Sequence, residues 1–168
     1  KAVVSLHAAL KYDNKLGRAY VLLGHIYERN LMRDKAFDAY TRAVRSDSRY
    51  LDGYIHLARM QLDRKQRRGA RRTLEKALKV SPDCLGCRML LGRLYLHRRK
   101  YKRAVNLLEK VVQKDFRNNE AHFYLGQAYA GLGMIGKATA EYNALTMSND
   151  LERAQILLKL IEKRSRRR

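Results

Sequence analysis

The sequence predicts an all-α fold of stacked helical hairpins, and three observations carry that prediction. Pro82 is the single proline in 168 residues, so the residue that breaks helices is missing from almost every position. Alanine, leucine, arginine and lysine dominate, and all four are good helix formers. Apolar residues fall three and four apart in block after block, the spacing that lines one face of a helix. Hydrophobic residues make up 46% of the chain, enough for a substantial core. No apolar run approaches the roughly 20 residues needed to cross a bilayer. No secretory leader is visible at Lys1, which need not be a native start. A soluble, cytoplasmic protein is the expectation.

The blocks repeat with a period of 34, in frames that start at Gly17, Leu51, Leu85 and Asn119. The fourth position of each frame holds Tyr20, Tyr54, Arg88 and His122. The seventh is leucine throughout (Leu23, Leu57, Leu91, Leu125), and the eighth is small (Gly24, Ala58, Gly92, Gly126). Position eleven gives Tyr27, Gln61, Tyr95 and Tyr129. Position twenty is always alanine: Ala36, Ala70, Ala104, Ala138. Position twenty-four gives Tyr40, Leu74, Leu108 and Tyr142, and position twenty-seven Ala43, Ala77, Val111 and Leu145. Small residues at eight and twenty let the two helices of a frame approach closely, and the larger ones fill the remaining space.

This pattern resembles the tetratricopeptide repeat (TPR) family, whose unit is a 34-residue helix–turn–helix with these residue types at these offsets. The resemblance covers residues 17 to 152 without an insertion. Gln61 departs from the usual aromatic, and only Gly133 keeps the glycine often found at the turn. The resemblance implies an all-α, right-handed superhelical solenoid. A single hairpin cannot bury its own face, so stacked neighbours complete the core.

Taken in order, the elements run as follows. Residues 1–16 fit the second half of a repeat, with a helix over 1–11 in which Ala2, Leu6 and Ala9 take the places of Ala36, Tyr40 and Ala43. Four TPR units follow, 17–50, 51–84, 85–118 and 119–152. Their helix pairs are predicted near 17–30/34–47, 51–64/68–81, 85–98/101–115 and 119–132/135–147. Residues 151–163 read as a capping helix, polar outside, and 164–168 as a basic, disordered tail. Helix 1–11 lacks its partner helix. Either the chain is a piece of a longer array or another molecule covers that face, a second copy of the chain included.

The net charge is +21, and a surface this basic attracts anions over long range. Counted by segment it is +2 for 1–16, +3 for 17–50, +5 for 51–84, +8 for 85–118, −3 for 119–152 and +6 for 153–168. Within the two central repeats it gathers at the turn between helices. One cluster is Arg64, Lys65, Arg67, Arg68, Arg71 and Arg72; the other is Arg98, Arg99, Lys100, Lys102 and Arg103. A weaker one is Arg29, Arg33 and Lys35. Equivalent turns of a stacked array lie side by side, so the clusters are expected to form one basic rim. That rim is either a solvated edge or a dock for an acidic protein or a phosphate backbone, whose charge would relieve repulsion acting over a Debye length of roughly 8–10 Å.

The resemblance also implies that the first helices line a concave groove in which ligands lie as peptides. Positions two, five, nine, twelve and thirteen would face it. The first three hold Arg18, Asp52, Gly86 and Glu120 at two; Val21, Ile55, Met89 and Phe123 at five; and His25, Arg59, Arg93 and Gln127 at nine. An apolar stripe beside a cationic one suits a peptide of alternating hydrophobic and acidic side chains, with Arg59 and Arg93 forking onto carboxylates. The competing expectation is that Val21, Ile55 and Met89 only pack between adjacent helices. Some TPR domains hold a terminal carboxylate with a Lys/Asn/Asn/Lys/Arg clamp. The matching positions here hold Val21, His25, His56, Gly86 and Leu90, or one repeat on, Ile55, Arg59, Leu90, Glu120 and Tyr124. Neither set carries the clamp.

Chemistry beyond binding is not indicated. Cys84-Leu-Gly-Cys87 is too little for a disulfide framework. It lacks a second pair for zinc and the following histidine of a haem site, and two ordinary small residues are expected, with a redox-sensitive or metal-sharing pair the alternative. The five histidines show no ligand spacing, and His122 reads as a packed histidine in an aromatic's place. No catalytic residue, metal site or cofactor is predicted. The expected function is a non-catalytic scaffold or adaptor for a protein or peptide of acidic or mixed acidic and apolar character. Two alternatives remain: nucleic-acid or anionic-membrane contact through the rim and tail, and self-association through residues 1–11.

Overall fold

A computed structural model describes residues 2–13 and 16–166. Lys1 of the first predicted helix, and Arg167 and Arg168 of the predicted tail, lie outside the described residues. Those described form ten helices and no strand: α1 Ala2–Tyr12, α2 Gly17–Arg29, α3 Arg33–Ser46, α4 Leu51–Asp63, α5 Arg67–Val80, α6 Leu85–His97, α7 Tyr101–Lys114, α8 Asn119–Gly131, α9 Ile135–Met147 and α10 Leu151–Ser165. The bounds of α2 to α9 lie within a residue of those the spacing predicts. At the carboxyl end the structure departs from the expectation. Arg164 and Ser165, assigned to a disordered tail, are the last two residues of α10. Cations at a helix C-terminus are favoured by the helix dipole, and the Ser165 hydroxyl donates to the Ile161 carbonyl at 3.1 Å.

The chain divides into two compact units, Lys1–Cys87 and Arg88–Arg168. The division falls inside α6, whose first three residues belong to the first unit.

In the first unit Val21, Ala36, Tyr40, Ala43, Leu57 and Met60 form a core cluster. Tyr40 and Leu74 are fully buried, and each such side chain contributes roughly 1.5–3 kcal/mol. Gly24 makes this packing possible, because a Cβ there would run into the Tyr40 ring. Gln61, in the aromatic's place, accepts a hydrogen bond from the Thr73 hydroxyl at 2.9 Å, so its polar end is satisfied beside the core. Helix α1 packs against α2, and none of its described residues is buried.

In the second unit Leu108, Leu145 and Leu157 are fully buried, with Leu91 and Leu125 close to it. A Cβ on Gly92 would lie 2.8 Å from Leu108 Cγ, the counterpart of the Gly24–Tyr40 contact. In the last frame the partner changes: Tyr142 is half-buried, and Gly126 instead makes room for Leu157 of α10. The polar starts of α8 and α10 are capped. Asn118 accepts from the Ala121 N–H at 3.0 Å, and Asp150 from the Arg153 N–H at 3.3 Å.

Each first helix ends in the same way. Position fifteen is left-handed in every frame: Leu31 (φ 58°), Lys65 (59°), Arg99 (54°) and Gly133 (75°). The residue after it donates back to position eleven, as in Met32 N–H to the Tyr27 carbonyl at 2.8 Å and Lys100 N–H to the Tyr95 carbonyl at 2.9 Å. This is the Schellman termination. It turns the chain sharply enough for the second helix to fold back on the first.

Candidate functional site

Among the first unit's residues that the resemblance assigns to a groove, Val21 follows the competing expectation and packs between helices. Val21 is 3% exposed and belongs to the core cluster with Leu57 and Met60 of α4. The neighbouring helix covers position five here, so Val21 packs rather than presents. Ile55 is half-buried, and its tip reaches Gly86, where a Cβ would lie 2.9 Å from Ile55 Cδ1. Arg18, Asp52 and Arg59 are exposed. Among the described residues no carboxylate pairs with Arg59.

His25 is half-buried and engaged. Its Nε2 lies 3.1 Å from Nε2 of His56, and the His56 ring stacks on Tyr40 with centroids 5.0 Å apart. Tyr40 in turn donates its hydroxyl to Glu28. Burial, and then the nearby His25 and Arg59, push the His56 pKa below the usual imidazole range, with Glu28 and Asp52 opposing. Burial and the Glu28 hydrogen bond push the Tyr40 hydroxyl far up, so it stays a donor. In the sequence His56 stands out only as a clamp position and as one of five histidines without ligand spacing. Its separation of 31 from His25 is three less than the period, which sets the two on neighbouring first helices, and that signal was available.

At the positions of the second unit that the resemblance assigns to a groove, Met89, Phe123 and Gln127 are half-buried. The Phe123 ring lies 5.5 Å from that of Tyr124. Arg93, expected to fork onto a ligand, faces Glu120 at 3.7 Å and stands 6.0 Å from the Tyr124 ring centre. Both partners keep substantial exposure (32% and 45%), so the contact is a loose one that a competing carboxylate can replace. His122 is 9% exposed, packed as expected. Its Nδ1 lies 2.6 Å from Glu141 and its Nε2 2.9 Å from the Phe116 carbonyl. Both partners are acceptors, so the ring satisfies them fully only as imidazolium. The Glu141 hydrogen bond raises its pKa despite burial.

The turn clusters differ in how free they are. In the first unit, Arg64 reaches Asp34 at 2.5 Å and stacks on the Phe37 ring at 4.2 Å. It ties α4 to α3 instead of presenting its charge. Arg71 pairs with Glu75 at 3.3 Å, and its buried Nε lacks a hydrogen-bond partner. Lys65, Arg67, Arg68 and Arg72 are exposed. In the second unit Arg98, Arg99, Lys100, Lys102 and Arg103 are all exposed, and Arg103 lies 5.7 Å from the Tyr95 ring centre.

Cys84 and Cys87 are joined in a disulfide, with Cα atoms 5.3 Å apart, where two ordinary small residues were expected. A three-residue separation on entering a helix brings the two Cβ atoms to one side, within bridging distance. Among the described residues no group of three or more His, Cys, Asp or Glu side chains is placed to hold a metal ion. No described helix is long and apolar enough to cross a membrane.

Comparison with known proteins agrees with this architecture. Two family models, both of the tetratricopeptide repeat, match the chain, one over residues 61–116 and 95–161 and the other over 17–50. Anaphase-promoting complex subunit 3 of Schizosaccharomyces pombe is 22% identical over 169 residues, all of this chain and 25% of that protein. The chain thus spans a quarter of that relative's length. The crystal structure of YrrB, a TPR protein with an unusual peptide-binding site, superimposes with a TM-score of 0.75 at 18% identity, over 95% of this chain and 91% of that one. The crystal structure of MamA protein gives 0.76 at 18% identity, over 89% and 82%. At these identities the structural likenesses show the fold alone.

Proposed function

The chain belongs to the tetratricopeptide repeat family, and from that premise we propose that it is a non-catalytic adaptor for a partner segment of mixed acidic and apolar character. Proteins of this family act generally as protein–protein interaction scaffolds. The segment lies against the groove faces of the units, with apolar contacts supplying most of the affinity and charges the orientation and on-rate. The observation that carries the reading is Arg59 beside Ile55, one turn apart on α4: a guanidinium without a carboxylate next to a half-exposed aliphatic side chain. Met89 and Phe123 repeat the apolar element in the second unit. That YrrB, of the same fold, is described as having a peptide-binding site supports a peptide as the ligand.

The test is a peptide array probed with the chain at low and at moderate salt. Peptides alternating acidic and apolar residues are expected to bind at both. Equal capture of all-acidic peptides without apolar residues would contradict the reading.

A second reading is favoured by the exposed cations Arg67, Arg68 and Arg72 of α5 and Arg98 to Lys100 of the turn after α6. On that reading the clusters contact a phosphate backbone. Binding of a mixed-sequence DNA or RNA duplex would then fall steeply with salt and ignore sequence. Self-association through α1 is favoured by its lack of any buried residue. Deleting residues 1–11 would then abolish an oligomer seen by sedimentation.

A further inference from the structure

We infer that a small cavity on the second unit takes the carboxylate side chain of a single Glu or Asp residue of the bound segment. The inference rests on the adaptor reading above and locates one point where acid is gripped. The cavity, about 240 Å³, lies between the end of α6, α8 and the last turns of α10. Small-molecule sites run to about 300–1,000 Å³, so its size suits one side chain and not a whole metabolite.

Three groups that carry or accept positive charge line it from separate parts of the unit: His97 at the end of α6, Arg99 in the following turn and Arg164 near the end of α10. Among the described residues no carboxylate pairs with any of them. Like charges gathered around one concavity repel, and an anion seated between them turns that repulsion into attraction. Tyr124 and Gln127 add neutral donors, and Leu160 supplies an apolar wall. The methylene stem of a glutamate suits that wall, and its planar carboxylate suits a guanidinium fork. Gln127 is one of the groove positions, so the cavity opens on the face where the segment is expected to lie.

The experiment is fluorescence anisotropy of the full chain with a fluorescein-labelled peptide of alternating leucine and glutamate. Parallel arms use the same peptide with glutamine, and with phosphoserine, in place of glutamate. Arg99→Gly suits the left-handed backbone at that position, so it removes the charge without harming the fold. Arg164→Gln is the second variant. Each is expected to weaken the glutamate peptide roughly tenfold, as loss of one charge-assisted hydrogen bond would. The glutamine peptide should be weakened to a similar degree and be insensitive to both variants. Lys114→Gln, an exposed charge of the same unit away from the cavity, should stay within about twofold. If the peptide binds but Arg99→Gly and Arg164→Gln bind as tightly as the unaltered chain, the cavity assignment fails and the adaptor reading stands. Equal weakening by Lys114→Gln, or binding of the phosphoserine peptide alone, also overturns the assignment. If no form binds the glutamate peptide, the adaptor reading fails and the cavity assignment with it.

Discussion

The Nε2 atoms of His25 and His56 lie 3.1 Å apart in the first unit, so one ring donates and the other accepts. Two protonated rings would set N–H against N–H. Burial, His25 and Arg59 hold the His56 pKa down, so the unfolded chain takes up this proton at a higher pH than the folded chain. Stability from this group is therefore present above the ordinary imidazole value of about 6.5 and is lost as pH falls through the lowered folded value. The first unit is expected to melt at a lower temperature as pH drops from about 7 to 5. His56→Phe, which keeps the stack on Tyr40, should reduce that loss. Circular dichroism melts across the range check it, and an unchanged acid response in the variant would refute it.

His122 has the opposite sign. Its folded pKa is raised, chiefly by Glu141, so its contribution is fully present below about 6.5 and fades as pH rises through the folded value. Proton NMR titration should find that the His122 ring loses its proton at a higher pH than the His56 ring. Glu141→Gln should bring His122 back toward the ordinary value. The reverse order of titration would contradict both assignments.

Leu31, Lys65 and Arg99 occupy left-handed backbone that Gly133 adopts without strain. A non-glycine residue there costs roughly 1–2 kcal/mol, part of which glycine forfeits through its greater freedom when unfolded. Leu31 is 81% exposed, so little packing is lost with it. Leu31→Gly is expected to stabilise by about 0.5–1 kcal/mol, and Gly133→Ala to destabilise by about 1 kcal/mol. Urea unfolding measures both.

Two glycine-to-alanine changes should have opposite effects. At Gly92 the new methyl would lie 2.8 Å from Leu108 Cγ, whereas at Gly136 nothing lies within 4 Å. Gly92→Ala is expected to cost about 1–3 kcal/mol through overpacking. Gly136→Ala, on the exposed face of α9, should gain about 0.5–1 kcal/mol. Similar effects from the two would mean that the close approach at position eight is not a packing constraint.

The frame was legible because the positions that set helix approach tolerate few residue types. Alanine at twenty and a small residue at eight fix which faces meet, and from them the helix bounds follow. What spacing does not fix is how far a neighbouring helix covers a given face. Val21 and Phe123 share position five, yet the first is closed off beside α4 and the second remains half-exposed. Arg64 reads in sequence as one more rim cation, but its partner Asp34 lies 30 residues back in the preceding frame. Arg93 likewise faces Glu120 of the next, though loosely. The cavity beside Arg164 is hidden from the spacing for another reason: α10 falls outside the repeat frame, and Arg164 reads in sequence as part of a tail.

The central claim is that groove-facing apolar side chains, and not the charged turns, carry partner binding. It is tested most directly by the affinity of an alternating leucine–glutamate peptide for the unaltered chain, Met89→Ser and Phe123→Ser, each measured from about 0.05 to 0.2 M salt. The account predicts that binding weakens only modestly with salt and is largely lost in both variants at every salt concentration. A loss of several hundredfold or more across the same range, with the two variants binding as tightly as the unaltered chain, would contradict it.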